Sequence, residues 1–301
     1  MTRWLQYQKE RFPLAQYVPM MAAFSFCAVS FSLHLHNPDA SLSDVSLPQY
    51  ITAAVTTLFF FMMMRIADEH KDYEEDREFR PYRPVQRGLI KLSELRVFGA
   101  VLIIIQAVMA VWVDWRLIIP LAAVYAFFTF MSFEFFVPKW LKRQHTLYLL
   151  SHMLIMPMID LYATAVEWLP RGGGITGGIL FFMASSYCDG TVVEVGRKLR
   201  APESEEYGVD TYTQIWGPKK AMAVWLTCLT VSMATTVATG FFVNAGWEIL
   251  AVLSVLYCFA VYFVIRFVKD PTAKNAKPFN IFPGVWMILM YLMLGIIPFF
   301  K

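Results

Sequence analysis

The sequence is short of charged residues. Asp, Glu, Lys and Arg make up 16% of the 301 residues, whereas soluble globular domains contain about 25%. Hydrophobic residues make up 57% of the chain, and the mean hydropathy is +0.49. This composition excludes an ordinary soluble domain and indicates a protein that lies largely within a membrane.

Cysteine is also scarce. The chain has four cysteines, and all of them lie inside apolar runs: Cys27, Cys188, Cys228 and Cys258. Buried free cysteines behave as small hydrophobic side chains. We therefore predict neither a disulfide framework nor a cysteine-based metal cluster.

Long apolar runs are what the sequence has in abundance, and a bilayer crossing takes roughly 20 residues of this kind. The first run follows a charged leader without an A-x-A cleavage pattern, so we expect it to be retained. We predict nine transmembrane helices, at about 16–36, 48–67, 95–113, 117–137, 146–168, 174–193, 219–243, 246–268 and 281–300. The expected fold is all-α, a single polytopic membrane domain over residues 1–301.

The positive charges lie in alternate connections. Lys and Arg concentrate in the leader and in the connections 68–94, 138–145, 194–220 and 266–280. Because positively charged connections stay on the cytoplasmic side, we predict a cytoplasmic N-terminus and a C-terminus on the other side. We expect no nucleic-acid partner.

One stretch, from Arg65 to Gly88, has the composition of a diphosphate site. Seven carboxylates lie between Asp68 and Glu78. Magnesium prefers oxygen ligands and usually shares its shell with substrate phosphates, and arginine is suited to holding phosphate oxygens. The alternative is a solvated charged loop between two membrane helices. The carboxylates Asp68, Asp72 and Asp76 fall at helical spacing, and Glu69 lies beside them. The stretch then continues with four arginines: Arg77, Arg80, Arg83 and Arg87.

This stretch resembles the first aspartate-rich motif of the UbiA superfamily of intramembrane prenyltransferases, N-D-x-x-D-x-x-x-D followed by R-P and a glycine. Here it reads Asp68-Glu69-x-x-Asp72-x-x-x-Asp76, then Arg83-Pro84 and Gly88. Two positions depart, with Asp in place of Asn and Glu in place of Asp, and both keep oxygen ligands. The resemblance implies a nine-helix bundle around a central cavity.

A second acidic stretch follows the sixth predicted span. The second superfamily motif is D-x-x-x-D, but Asp189 and Glu194 are five residues apart, which is about 140° around a helix. The resemblance implies that Glu194, with Asp189 deeper in the bundle, completes the metal site. It also implies that Arg197 and Lys198 meet the diphosphate.

Polar residues within predicted spans are costly and often functional. His152 is a candidate for contact with the diphosphate or an acceptor, or for a hydrogen bond to a neighbouring helix. Asp160 is a candidate carbocation stabiliser or base, or again a partner of another helix. Glu134 lies at the predicted cytoplasmic end of the fourth span.

The resemblance implies a Mg²⁺-dependent enzyme that binds a prenyl diphosphate at its cytoplasmic face. Our first hypothesis is transfer of the prenyl group to a hydrophobic or aromatic acceptor. A terpene cyclase, which needs no acceptor, and a transporter are the alternatives. The residues expected to carry the reaction are Asp72, Asp76, Arg83, Asp160 and Asp189. The expected diphosphate ligands are Arg83, Arg87, His152, Arg197 and Lys198, and the expected metal ligands are Asp68, Glu69, Asp72, Asp76, Asp189 and Glu194.

Overall fold

A computed structural model describes residues 2–301, and within that range the protein is built from helices, with no β-strand. The α-helices are α1 (Arg3–Arg11), α2 (Leu14–His36), α3 (Leu47–Lys71), α4 (Tyr73–Phe79), α5 (Leu92–Val113), α6 (Ile118–Ser132), α7 (Pro138–Leu141), α8 (His145–Met153), α9 (Ile155–Trp168), α10 (Gly177–Arg197), α11 (Tyr212–Trp216), α12 (Pro218–Phe241), α13 (Gly246–Lys269) and α14 (Ala273–Ile296). The predicted all-α fold is confirmed, and each predicted span contains a long helix or a pair of consecutive helices.

Across residues 2–301, eight segments are long and apolar enough to cross a membrane. Eight of the nine predicted spans match them. The exception is α10, whose glycines, serines and acidic residues lower its hydropathy. It still forms 21 continuous helical residues and packs against α9, α12 and α14. The polar composition of α10 therefore reflects its place inside the bundle.

Local capping explains where α3 and α10 begin. At the start of α3, the side chain of Gln49 accepts hydrogen bonds from the backbone N–H and the hydroxyl of Ser46, at 3.0 and 2.8 Å. At the start of α10, the Thr176 hydroxyl accepts from the backbone N–H of Ile179 at 3.4 Å. These contacts satisfy N–H groups that a helix start leaves without partners.

The centre of the bundle is formed by α2, α9, α10 and α14, which pack on one another. Close approach there requires small residues: a Cβ added to Gly295 of α14 would lie 2.5 Å from the backbone of Cys27 in α2. By contrast, α5 and α13 expose apolar side chains such as Ile104 and Val255. Their exposed apolar surface is what a multi-pass membrane protein presents to lipid.

Successive spans run in opposite directions, so α3 and α10 end on the same side of the bundle. We call this side the motif end. The connection from α6 to α7 also lies there and has an unusual backbone, because Glu134, Phe135 and Phe136 have φ values of 51°, 51° and 61°. Left-handed conformations of non-glycine residues cost energy and concentrate at functional sites.

Candidate functional site at the motif end

The two acidic helix ends face each other at the motif end. Asp68 of α3 and Arg197 of α10 lie close enough for their charges to interact. Tyr212 of α11 interacts in the same way with Glu194 and with Tyr148 of α8. Burial raises the pKa of Tyr212, and the charge of Glu194 raises it further. The first and second motifs therefore share one opening.

Within the first motif, the carboxylates divide into two pairs. Asp68 remains 47% accessible, with Arg65 3.5 Å away, and Asp72, which ends α3, is half-buried. Glu69 and Asp76 are almost completely buried. Only the first pair, four residues apart on one helical face, presents free carboxylate surface at the opening.

Asp76 is held by two arginines. Arg80 donates to Asp76 Oδ1 at 2.9 Å, and Arg83 donates to Oδ2. Each carboxylate oxygen thus has its own guanidinium partner, and the Asp76 side chain is 1% exposed. The contact fixes the segment after α4. Arg83 is 21% exposed, so part of its guanidinium can still reach a ligand.

The second motif presents a carboxylate flanked by cations. Glu194 forms an ion pair with Arg197 and another, at 3.2 Å, with Lys198. The Lys198 ammonium also lies 5.5 Å from the ring centre of Tyr212. The Arg197 side chain is 59% accessible, so its guanidinium can also meet a ligand.

Arg87 points elsewhere. It donates to the backbone carbonyl of Tyr82 at 2.8 Å and to Glu10 of α1 at 2.7 Å. The hydrogen bond from Arg87 lowers the pKa of Glu10. These contacts assign Arg87 a part in docking α1, and its predicted contact with the diphosphate stays a prediction.

His152 belongs to a cluster that the sequence analysis did not assemble. The Lys71 ammonium lies 2.8 Å from Glu134 Oε1 and donates to the Tyr148 hydroxyl at 2.6 Å. Tyr148 in turn donates to Glu134 at 3.2 Å, and Nε2 of His152 lies 3.2 Å from Glu134 Oε2. His152 thus faces a carboxylate in this structure. The signal in the sequence that could have identified Lys71 was its position among the carboxylates of the first motif.

Glu134 is the anchor of this cluster. It lies two residues beyond the end of α6, and its side chain is 5% exposed. Burial alone would raise its pKa, but His152 and Lys71 outweigh that effect and lower the pKa to about 2. Glu134 is the first of three left-handed residues. This backbone turns its carboxylate towards Lys71, which directly precedes Asp72 in the sequence.

Asp160 and Asp189 lie deeper, in the core of the bundle. Asp160 accepts a hydrogen bond from the Tyr291 hydroxyl at 2.9 Å. Asp189 accepts from the hydroxyl of Ser232 and from the indole N–H of Trp286, at 3.1 Å for the latter. These contacts join α9, α10, α12 and α14. Asp189 lies five residues before Glu194 along α10, and the predicted catalytic and metal roles of the two aspartates stay predictions.

The last residue of α4 packs against the connection that follows α10. The rings of Phe79 and Tyr207 pack edge to face, with centroids 6.1 Å apart. Gly208 has φ +75°, and a Cβ there would lie 2.6 Å from Phe79 Cδ1. The backbone conformation and the close approach both explain the glycine in this motif.

The accessible carboxylates fit a magnesium ion that is shared with a ligand. Among residues 2–301, no three His, Cys, Asp or Glu side chains form a ready-made metal cage. Mg²⁺ usually takes only one or two protein carboxylates and completes its shell with water and phosphate oxygens. The accessible Asp68 and Asp72 on one side, and the partly buried Glu194 on the other, supply oxygen donors of this kind.

The model of the UbiA prenyltransferase family matches residues 23–292. An apo structure of a UbiA homolog from Aeropyrum pernix K1 has a TM-score of 0.66 and 15% identity, over 92% of this chain and 95% of that chain. A UbiA homolog from Archaeoglobus fulgidus bound to DMAPP and Mg²⁺ has a TM-score of 0.57 and 11% identity, over 96% and 98%.

A structure described as digeranylgeranylglyceryl phosphate synthase in membranes has a TM-score of 0.62 and 14% identity, over 100% of both chains. A search of curated proteins found no match. At these identities the structural likeness shows the fold, and the family model shows the relationship. The chain belongs to the UbiA prenyltransferase family.

Proposed function

We propose that the protein is a Mg²⁺-dependent membrane enzyme that ionises a prenyl diphosphate at the motif end and transfers the prenyl group to an acceptor. The observation that carries the proposal is the meeting of two acidic helix ends, with Asp68 and Asp72 on α3 and Glu194 on α10, beside Arg197 and Lys198. The family supports the reaction class. The DMAPP and Mg²⁺ bound by the homolog from A. fulgidus support the ligands.

The proposed metal ligands are the two accessible carboxylates of the first motif and Glu194, which is paired with Arg197 and Lys198. Asp68, Asp72 and Glu194 would hold Mg²⁺, and bound Mg²⁺ would withdraw negative charge from the leaving diphosphate. Of the other predicted ligands, Glu69 and Asp76 are engaged by arginines, and Asp189 is bonded within the core. Coordination by these three, which are more deeply buried than Glu194, would require them to leave their present partners. Glu194 must release Arg197 and Lys198, which are then free to meet the diphosphate.

The cations at the opening act on the leaving group. As the carbon–oxygen bond breaks, negative charge grows on the diphosphate, and fixed positive groups stabilise that charge selectively. Arg197 and Lys198 are already placed there by Glu194. Lys71 is held at the edge of the site by Glu134 and Tyr148, which gives a third cation that the sequence analysis did not include.

The prenyl chain needs an apolar path from the opening into the bundle, and the acceptor is proposed to be hydrophobic or aromatic. The distribution of Lys and Arg supports a cytoplasmic position for the N-terminus and for the opening. A terpene cyclase would use the same diphosphate chemistry without an acceptor, so product analysis separates the two reactions.

The test is incubation of the purified protein with a panel of prenyl diphosphates and Mg²⁺, with and without aromatic acceptors. We expect diphosphate release that needs an acceptor and stops in EDTA. Asp72→Asn should abolish turnover, whereas Asp39→Asn, at an exposed carboxylate in the connection from α2 to α3 at the opposite end, should not. A cyclic product formed without acceptor would establish the cyclase instead. No binding of any prenyl diphosphate would refute both.

A further inference from the structure

The short N-terminal helix α1 docks on the first motif. Three of its residues, Arg3, Tyr7 and Arg11, are spaced four apart and so share one helical face. Arg3 forms an ion pair with Glu94 at the start of α5. Tyr7 is buried, and Arg11 forms an ion pair with Glu69. This face of α1 therefore binds the bundle.

The Arg11–Glu69 pair is the innermost of these contacts. The Glu69 side chain is 0% exposed, and Arg11 is 12% exposed. Tyr7 lies near enough to Glu69 for the two groups to interact, and burial together with the charge of Glu69 raises the pKa of Tyr7. Arg11 supplies the only ion pair of Glu69 among residues 2–301. A buried carboxylate without its cation is strongly unfavourable.

The position of Glu69 in the motif makes this contact consequential. Glu69 lies next to Asp68 and three residues before Asp72, about 60° around α3 from Asp72 and about 100° from Asp68, so its side chain reaches α1 at the edge of the face that the pair occupies. Holding Glu69 against α1 fixes the rotation of the last turn of α3. That rotation directs Asp68 towards Arg197 of α10 and Asp72 towards Tyr148 of α8.

We infer that Arg11 is a positioning residue for the metal site, and that Glu69 anchors α1 and is not itself a metal ligand. This inference rests on the proposed function. It assigns the N-terminal helix to the active site, and it reduces the first motif's metal ligands to Asp68 and Asp72. Removing Arg11 leaves a buried charge behind, whereas removing the Glu69 charge leaves an arginine that can turn outwards to water.

The experiment measures Mn²⁺ binding to the metal-free protein by electron paramagnetic resonance, with no turnover required. Loss of a residue that orients metal ligands typically weakens binding about 10- to 100-fold, and we expect a loss of that size in Arg11→Gln. Glu69→Gln should lose less than Arg11→Gln. The double variant, in which no buried charge is left unpaired, should recover most of the parent's affinity. Lys9→Glu, on the exposed face of the same helix, is the matched control and should bind as the parent does.

The ranking of the variants decides the assignment. If Glu69 were a metal ligand, Glu69→Gln would be the weaker of the two single variants, and adding Arg11→Gln would restore nothing. Either that ranking, or an Arg11→Gln variant that binds Mn²⁺ as tightly as the parent, would overturn the roles assigned to Arg11 and Glu69. Neither result would overturn the proposed function. Arg11→Lys and the thermal unfolding midpoint of each variant identify losses that come from misfolding, because Arg11→Lys should keep the fold and intermediate affinity. A parent that binds neither Mn²⁺ nor a prenyl diphosphate would overturn the proposed function as well.

Discussion

The strongest prediction about stability concerns Glu134, because its carboxylate is buried and charged. Its pKa falls from the usual 4.5 to about 2 in the folded protein. Each pH unit between these values corresponds to about 1.4 kcal/mol, so the charged side chain contributes about 3 kcal/mol to the free energy of unfolding at neutral pH.

The sign of the pH dependence follows from the direction of the shift. Above pH 4.5 Glu134 is ionised in the folded and the unfolded chain, and its contribution is fully present. As the pH falls from 4.5 towards 2, the unfolded chain takes up a proton that the folded protein does not. The contribution of Glu134 is therefore lost across that window.

The assay compares thermal unfolding midpoints of the parent and Glu134→Gln in detergent from pH 7 to pH 3. A loss of about 3 kcal/mol should lower the midpoint at pH 7 by roughly 5 °C or more for a chain of this size. The difference between the two proteins should shrink as the pH falls below 4.5. Glu75→Gln is the control, because Glu75 is 47% exposed and 3.8 Å from Lys142, and exposed pairs contribute about 0–1 kcal/mol. A difference between parent and Glu134→Gln that is absent at pH 7, or unchanged at pH 3, would refute the reasoning.

Three further predictions test other parts of the structure. In Gly208→Ala, the alanine must adopt a left-handed conformation and displace the ring of Phe79, so we expect a loss of about 1–3 kcal/mol of stability. The KM for the prenyl diphosphate should rise. An unchanged KM would show that this contact does not shape the opening. Arg83→Lys keeps the charge but not the planar guanidinium that contacts Asp76, so turnover should fall by about tenfold or more. Full activity would show that the charge of Arg83 serves only to orient the chain in the membrane. Gly295→Ala places a methyl group 2.5 Å from the backbone of α2, and about 1–3 kcal/mol of stability should be lost; a parent-like unfolding midpoint would show that α2 and α14 can separate.

The helical architecture could be predicted because hydropathy and charge act over short stretches of sequence. The apolar runs locate the helices, and the alternating charges place the ends of α3 and α10 on one side. The spacing of Asp68 and Asp72 likewise predicts a shared face. These features need only the geometry of a single helix and the thickness of a bilayer.

The division of the carboxylates could not be predicted, because it depends on partners far away in the sequence. Glu69 meets Arg11 across 58 positions, and nothing near Glu69 distinguishes it from Asp68. Lys71 and Glu134 form a pair only because the backbone after α6 turns through three left-handed residues. No turn-forming glycine or asparagine marks that segment, since it reads Glu134-Phe135-Phe136.

The low hydropathy of α10 has a consequence for how the protein is made. An aspartate at the centre of a membrane helix costs about 2.5–3.5 kcal/mol when a segment enters the bilayer alone, and α10 carries Asp189 there. Asp189 finds its partners on α12 and α14, which leave the ribosome after α10. During synthesis α10 must therefore wait beside α9 or at the translocon until the C-terminal helices arrive. Two later spans, α12 and α14, thus complete the insertion of a helix that precedes them.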